Sequence, residues 1–203
     1  MRRLIVLAFA ASALTACGSE TAEVEEAAPA YSANKYTHAI NDIARPASDR
    51  ERDAARKPGE LLAFAEIDKG EKVGDYIMGG GYVTRLLAMA VGANGKVYAF
   101  QPEEFIGFRP EYATEQDEAV APYPDLVLPL RAPIAEPGFP EPLDTIITVM
   151  NFHDLYIPQM PEGTAATAIQ SLFDALKPGG KLVVIDHSAP EGTGSTSNSP
   201  STR

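Results

Sequence analysis

The chain has 203 residues, room for one domain of ordinary size and not for two full ones. Apolar residues make up 45% and charged residues 22%, a globular balance. A formal net charge of −11 with no basic stripe to offset it argues against a nucleic-acid partner. The single Cys excludes intrachain disulfides, thiolate clusters and a Cys-built zinc site, and His38, His153 and His187 offer no metal-ligand spacing.

Met1-Arg2-Arg3 is a cationic start, followed by an apolar, Ala-rich run from Leu4 to Leu14. That run is too short to span a bilayer, which takes about 20 apolar residues, and has the length of a signal-peptide core. It ends in Leu14-Thr15-Ala16-Cys17-Gly18. This resembles the bacterial lipobox, in which the chain is cut before a Cys whose thiol is then lipidated. The resemblance implies a signal peptide over 1–16 and lipidation at Cys17. The chain would be exported and held at the periplasmic face of a membrane by its lipid alone. Gly18 is not the Asp that favours inner-membrane retention, which leaves the outer membrane. An ordinary secretory signal with a chance Cys is the other reading.

Residues 17–35 combine the lipidated Cys with an acidic, then Ala/Pro-rich stretch that has no period able to bury a face, so they read as a tether. Residues 36–70 read as a helical extension. Over 45–57 the pattern predicts one helix, capped by Ser48 or Asp49. In it Asp49, Arg52, Asp53 and Arg56 stand at charge-pairing spacings. Such a helix either presents a solvated face or overlies a ligand. Pro58 opens a second predicted helix, through Leu61, Leu62 and Phe64, ending near Gly70.

From Glu71 short apolar runs alternate with helical patterns. Strands are predicted at 73–78, 96–100, 125–130 (shortened by Pro129), 143–150 and 181–186. Helices are predicted at 82–91 and 164–176, the latter closed by Lys177-Pro178-Gly179-Gly180. Apolar runs buried on both faces and joined by helices predict an α/β protein with a mostly parallel sheet over 71–190. Residues 191–203 lack any apolar period and read as a disordered tail.

Ligands of such sheets bind at the carboxyl ends of the strands. Gly79-Gly80-Gly81-Tyr82 lies there, between the first strand and a helix, where backbone N–H groups approach a ligand closely. A plain tight turn is the competing explanation.

On these residues the sequence resembles the class I S-adenosylmethionine (SAM)-dependent methyltransferases, and within them an exported bacterial branch with a Gly-Gly-Gly-Tyr turn. The resemblance runs over about 45–192. It rests on the Asp49, Arg50, Asp53, Arg56 and Pro58 pattern, on Val73, Asp75, Gly79-Gly80-Gly81-Tyr82 and Thr84, and on Val91-Gly92 with Gly95, Val97-Tyr98-Ala99. Asn151, His153-Asp154 and Leu176-Lys177-Pro178-Gly179-Gly180 with Leu182 complete it. It implies a Rossmann-like fold, SAM as cofactor and an unknown small-molecule methyl acceptor. Asp75 would anchor the turn, and Gly79, Gly80 and Gly81 would pack against SAM. Gln101 would stand where the family has a ribose-binding acid. Asn151 and Phe152 would border the cofactor, with His153 and Asp154 as candidate catalytic residues.

The sequence departs from that pattern in four places. Ile77 stands where the first family glycine belongs, and Gln101 lacks the charge-assisted strength of a carboxylate. Arg131-Ala132-Pro133 supplies no acid for an adenine amine. After Asp186-His187 nothing has the pattern of the expected antiparallel hairpin, so the sheet is expected to lack it. The reading frame from Ser195 looks truncated or shifted, and the strand 182–185 is expected to form an uncovered edge. His153 and Asp154, adjacent on a predicted strand, are expected to point to opposite faces. SAM is made in the cytoplasm, which keeps open a second function: a non-catalytic binding or structural lipoprotein on a degenerate fold. A nicotinamide enzyme fits least, since Thr84 and Gln101 stand where it needs a glycine and an acid.

Overall fold

The structure, a computed structural model, describes residues 31–188. The expected signal peptide over 1–16, Cys17, the expected tether up to residue 30 and the expected tail from 191 lie outside the described residues.

Five strands form one sheet: β1 (Lys72–Tyr76), β2 (Lys96–Pro102), β3 (Val127–Ala132), β4 (Leu143–Val149) and β5 (Leu176–Ile185). Their order is β3-β2-β1-β4-β5, and every pairing is parallel. Parallel strands need long crossovers, and the helices that supply them cover both faces. One face carries α1 (Thr37–Ile40), α4 (Pro58–Phe64), α5 (Tyr82–Val91) and α7 (Glu111–Val120). Leu62, Leu86, Leu87 and Ala119 from this layer pack on Val73, Val97, Ala99 and Ile147. The other face is covered by α6 (Glu103–Phe108) and α8 (Thr164–Asp174), with Phe105, Ala168 and Leu172 against Tyr76, Tyr98, Phe100 and Ile146. Alternation along each strand sends odd-numbered residues of β1, β2 and, from Thr145, β4 to the first layer and even-numbered ones to the second, while Leu143, ahead of the register irregularity, packs in the second. Pro129 lies in β3, at the sheet edge, where a missing ladder donor is tolerated.

Three expectations need correction. The helix over 45–57 is two short ones, α2 (Ala47–Arg50) and α3 (Asp53–Arg56), because the ladder tightens between them: Arg52 N–H donates to Asp49 C=O at 3.0 Å. Its first cap position is Pro46, and neither Ser48 nor Asp49 caps by side chain. The helix after Pro58 stops at Phe64 and not near Gly70. Glu66 takes a left-handed φ of 52°, Ile67 N–H reaches Leu62 C=O at 3.3 Å and Glu66 N–H reaches Ala63 C=O at 3.1 Å. That is a Schellman ending, with Ile67 and Leu62 fully buried against the core as its hydrophobic contact. Finally, β5 begins at Leu176. Leu143 pairs with Leu176, Thr145 with Lys181, and Lys177-Pro178-Gly179-Gly180 bulge between them.

β5 has β4 as its one strand neighbour and no antiparallel strand beside it among the described residues. Val184 on β5 and Phe173 on α8 are exposed there.

Candidate functional site

The strand order reverses between β1 and β4: β1 is followed on one side by β2, and the chain then returns to place β4 on the other. Connections diverge at that switch point, so a crevice opens at the carboxyl ends of β1 and β4. Two non-glycine residues with left-handed backbones mark it, Ile77 (φ 63°) after β1 and Met150 (φ 65°) after β4. For a β-branched residue such a φ costs on the order of 1–2 kcal/mol. Ile77 offsets it by burying its side chain among Tyr76, Phe100 and Leu155. Asn151 ties the two strand ends together: its Nδ2 donates to Ile77 C=O at 2.8 Å and to Val149 C=O at 3.0 Å.

The glycine turn follows. Met78 N–H still donates to Phe100 C=O at 2.9 Å, so the β1–β2 ladder carries into it. At Gly79 (φ 55°) a Cβ would meet nothing within 4 Å, leaving open space over the backbone. Gly81 (φ 80°) begins α5, and there a Cβ would overlap Ala119 Cβ on α7. The turn therefore has one open glycine and one tightly packed glycine. Asp75, fully buried on β1, accepts from Thr84 Oγ1 at 2.6 Å and so fixes the first turn of α5. Burial pushes its carboxyl up to about 6, against the Thr84 hydrogen bond and the Arg85 charge, which pull the other way.

A buried ionic network reaches the turn from the N-terminal helices, with no signal in the sequence beyond the charge spacing over 45–57. Arg85 grips Asp49 with two hydrogen bonds (2.7 and 3.0 Å) and donates to Gly80 C=O at 2.9 Å. Arg52 adds a bond to Asp49 at 2.6 Å. Arg45 grips Asp53 at 2.6 and 3.0 Å, and Tyr82 Oη donates to the same carboxylate at 2.7 Å. Burial pushes Asp53 up, but Arg45 and Tyr82 outweigh it and hold the carboxyl below the usual range. The guanidinium groups of Arg45, Arg52 and Arg56 all lie within 5.4 Å of the Tyr82 ring centroid. The charged segment is thus clamped onto the glycine turn. Arg56 shares that Tyr82 ring and does not pair with Asp53.

Gln101, the next-to-last residue of β2, lies on the same face as Ala99. It is fully buried, and neither its Oε1 nor its Nε2 has a hydrogen-bond partner among the described residues. Both halves of a buried amide left unpaired are costly, about 1–3 kcal/mol for each group. Glu104 is already committed to Ile134 N–H at 2.9 Å, so it does not replace Gln101.

Beyond β4 the chain forms a 3₁₀ turn, Phe152–Tyr156. His153 and Asp154 therefore do not alternate on a strand, and the expectation that they diverge is wrong: His153 Nε2 stands 3.5 Å from Asp154 Oδ1. The sequence reading missed Asp186, at the end of β5. Its two oxygens lie 2.9 and 3.0 Å from His153 Nδ1, and it also accepts from the backbone N–H groups of His153 (3.0 Å) and His187 (2.8 Å). Burial pushes the Asp186 carboxyl up, and these donors more than compensate, holding it below the usual carboxylate range. Phe152, which precedes His153, packs edge-on against Tyr156. The same turn borders a groove of about 580 Å³ whose lining includes Leu155, Ile157, Met160, Ala165 and Ile169. No group of three or more His, Cys, Asp or Glu among the described residues is placed to hold a metal ion.

A parallel sheet in this order, entered by a glycine turn at the switch point, is the fold of the class I SAM-dependent methyltransferases. No protein-family model matches the chain, and neither does any curated protein. Similar solved structures include a SAM-dependent methyltransferase from Aquifex aeolicus at 24% identity, with a TM-score of 0.52 over 75% of this chain and 79% of that one. DesVI of Streptomyces venezuelae is similar at 16% identity, TM-score 0.52, over 71% of this chain and 56% of that one. A SAM-dependent O-methyltransferase from Thermotoga maritima gives 22% identity and a TM-score of 0.48 over 64% of this chain. The chain spans 43% of the length of the Thermotoga protein.

The chain's own residues fit such a cofactor on two counts: an unpaired amide at Gln101 can donate to one ribose hydroxyl and accept from another, and Gly79 leaves backbone uncovered in the β1 turn.

Proposed function

We propose that the protein is a SAM-dependent methyltransferase of a small-molecule acceptor. The observation that carries this reading is the doubly unpaired amide of Gln101 near the end of β2, in a sheet whose β1 turn has an open glycine at Gly79. A buried amide left unpaired is costly, and a ligand with paired hydroxyls would satisfy both of its halves. SAM, when bound, supplies an electrophilic methyl group on a sulfonium. Gln101 and the backbone of Gly79, Gly80 and Gly81 would hold it, and Phe152 would border it. Asn151 keeps the ends of β1 and β4 in register, and Arg85 with Asp49 holds Gly80 in place. Methyl transfer asks little more of the chain than in-line positioning and, for some acceptors, a base.

We further propose that Cys17 carries a lipid and that the domain works at the periplasmic face of the outer membrane. The lipobox-like Leu14-Thr15-Ala16-Cys17 and the apolar run before it support this. No helix among the described residues is long and apolar enough to cross a membrane. Radiolabelled palmitate incorporated by the native chain and not by Cys17→Ser is the expected result.

Ile77 in place of glycine and an amide in place of a carboxylate favour a second reading, a binding protein that does no chemistry. Titration calorimetry of the full chain with S-adenosylhomocysteine separates the two. Saturable one-to-one binding is expected, and no heat at millimolar ligand rejects the enzyme reading.

A further inference from the structure

We infer that His153 and Asp186 form a proton-accepting dyad, in which Asp186 fixes the imidazole tautomer so that Nε2 takes a proton from the methyl acceptor. The inference rests on the methyltransferase reading for its chemistry, and on geometry alone for the dyad. Two carboxylate oxygens face Nδ1 at 2.9 and 3.0 Å, so that nitrogen donates and carries the ring proton. The carboxylate cannot swing away, because the N–H groups of His153 and His187 hold it from the backbone. In a neutral ring Nε2 is then the bare nitrogen. Its nearest charged neighbour, Asp154 Oδ1 at 3.5 Å, is long for a hydrogen bond and well placed to stabilise positive charge once a proton arrives. The His187 ring lies alongside, with centroids 5.7 Å apart. About half of the His153 side chain is open to solvent, so a small molecule can reach it.

This arrangement selects the acceptor class. A thioether or a tertiary amine has no proton to lose and gains nothing from a base, whereas a hydroxyl does. As the acceptor oxygen forms its bond to the methyl carbon, its O–H proton passes to Nε2. The pair of the breaking carbon–sulfur bond stays on sulfur, turning the sulfonium into a neutral thioether. The positive charge lost there reappears on the His153 ring, between Asp186 and Asp154. Asp186 touches neither donor nor acceptor and is a positioning residue; His153 is the catalytic one.

The test is nitrogen-15 NMR of the full chain labelled at histidine, read at pH 8 without cofactor. The molecule carries its own control, since His38 Nε2 lies 3.0 Å from the carbonyl of Met89 and must donate there, which makes it the opposite tautomer. The expected spectrum has His153 protonated at Nδ1 and bare at Nε2, and His38 the reverse. Asp186→Asn is expected to lose the single tautomer at His153, and Asp186→Glu to recover it; a structural tie between the turn and β5 would not require either. His153 protonated at Nε2, at both nitrogens, or unchanged in Asp186→Asn overturns the dyad. Should Asp186→Asn fail to fold, the native spectrum decides. Because no cofactor is present, the result is independent of S-adenosylhomocysteine binding, which tests the methyltransferase reading by itself.

Discussion

Replacing Gln101 by Met separates stability from function. The two side chains have similar length and volume, so Met fills the same buried space without a cavity. What changes is the loss of an amide whose donor and acceptor both lack partners among the described residues. Each unsatisfied group costs about 1–3 kcal/mol. Allowing for local relaxation, the free protein should gain about 2 kcal/mol. For a domain of this size that raises Tm by about 4–8 °C in scanning calorimetry. The ligand response should move oppositely. S-adenosylhomocysteine at a hundred times its Kd should stabilise the native chain by about 2.7 kcal/mol and the variant hardly at all, since the hydroxyls lose their partner. An unchanged or lowered Tm would mean that the amide already has a satisfied place in the fold, and the reasoning from it would fail.

Three further outcomes follow from the same geometry. Asp75 has a folded value of about 6 against 3.8 for a free Asp, so the native state keeps a proton that the unfolded chain releases between those values. Stability should therefore fall as pH rises through that window, by at most about 3 kcal/mol, and Asp75→Asn should remove that slope from urea denaturation at pH 4 to 7; parallel profiles would contradict it. Gly81→Ala meets Ala119 as well as a left-handed backbone and should cost several kcal/mol, whereas Gly79→Ala meets only the backbone term of roughly 1–2 kcal/mol; equal losses on chemical denaturation would be inconsistent with the packing described. Asp49→Asn strands the buried Arg85 charge and should lose about 3–5 kcal/mol, most of it recovered by Asp49→Leu with Arg85→Met in a double-mutant cycle; strict additivity would show that the pair is not coupled.

What the sequence made legible was whatever rests on local pattern. The β-branched run 143–150 reads as a buried strand because both of its faces are covered, and the Lys-Leu-Val-Val-Ile run from 181 reads as a strand from its β-branched residues although it is the half-exposed edge. The Gly-Gly-Gly turn stood out because it breaks an apolar run. Helices α6 and α7 went unread because their periodicity is faint: in Glu111–Val120 only Gln116 and Ala119 are buried. The ionic clamp and the dyad were hidden for another reason. Asp49 and Arg85 lie 36 residues apart, and His153 and Asp186 lie 33 apart, so only the crossovers of a folded sheet bring them together. His153 was found and its partner was not, because a predicted strand through 150 gave no hint of the 3₁₀ turn that swings the ring toward β5. Gln101 was noted for the charge it lacks; that its amide is buried without a partner among the described residues is a property of packing.

A crystal structure of the full chain grown with S-adenosylhomocysteine addresses the central claim most directly. Density for the ligand along the backbone of Gly79–Gly81, with its ribose hydroxyls within hydrogen-bond distance of the Gln101 amide, is the predicted result. A saturated crystal with that crevice closed by protein side chains and Gln101 still unpaired would contradict the account.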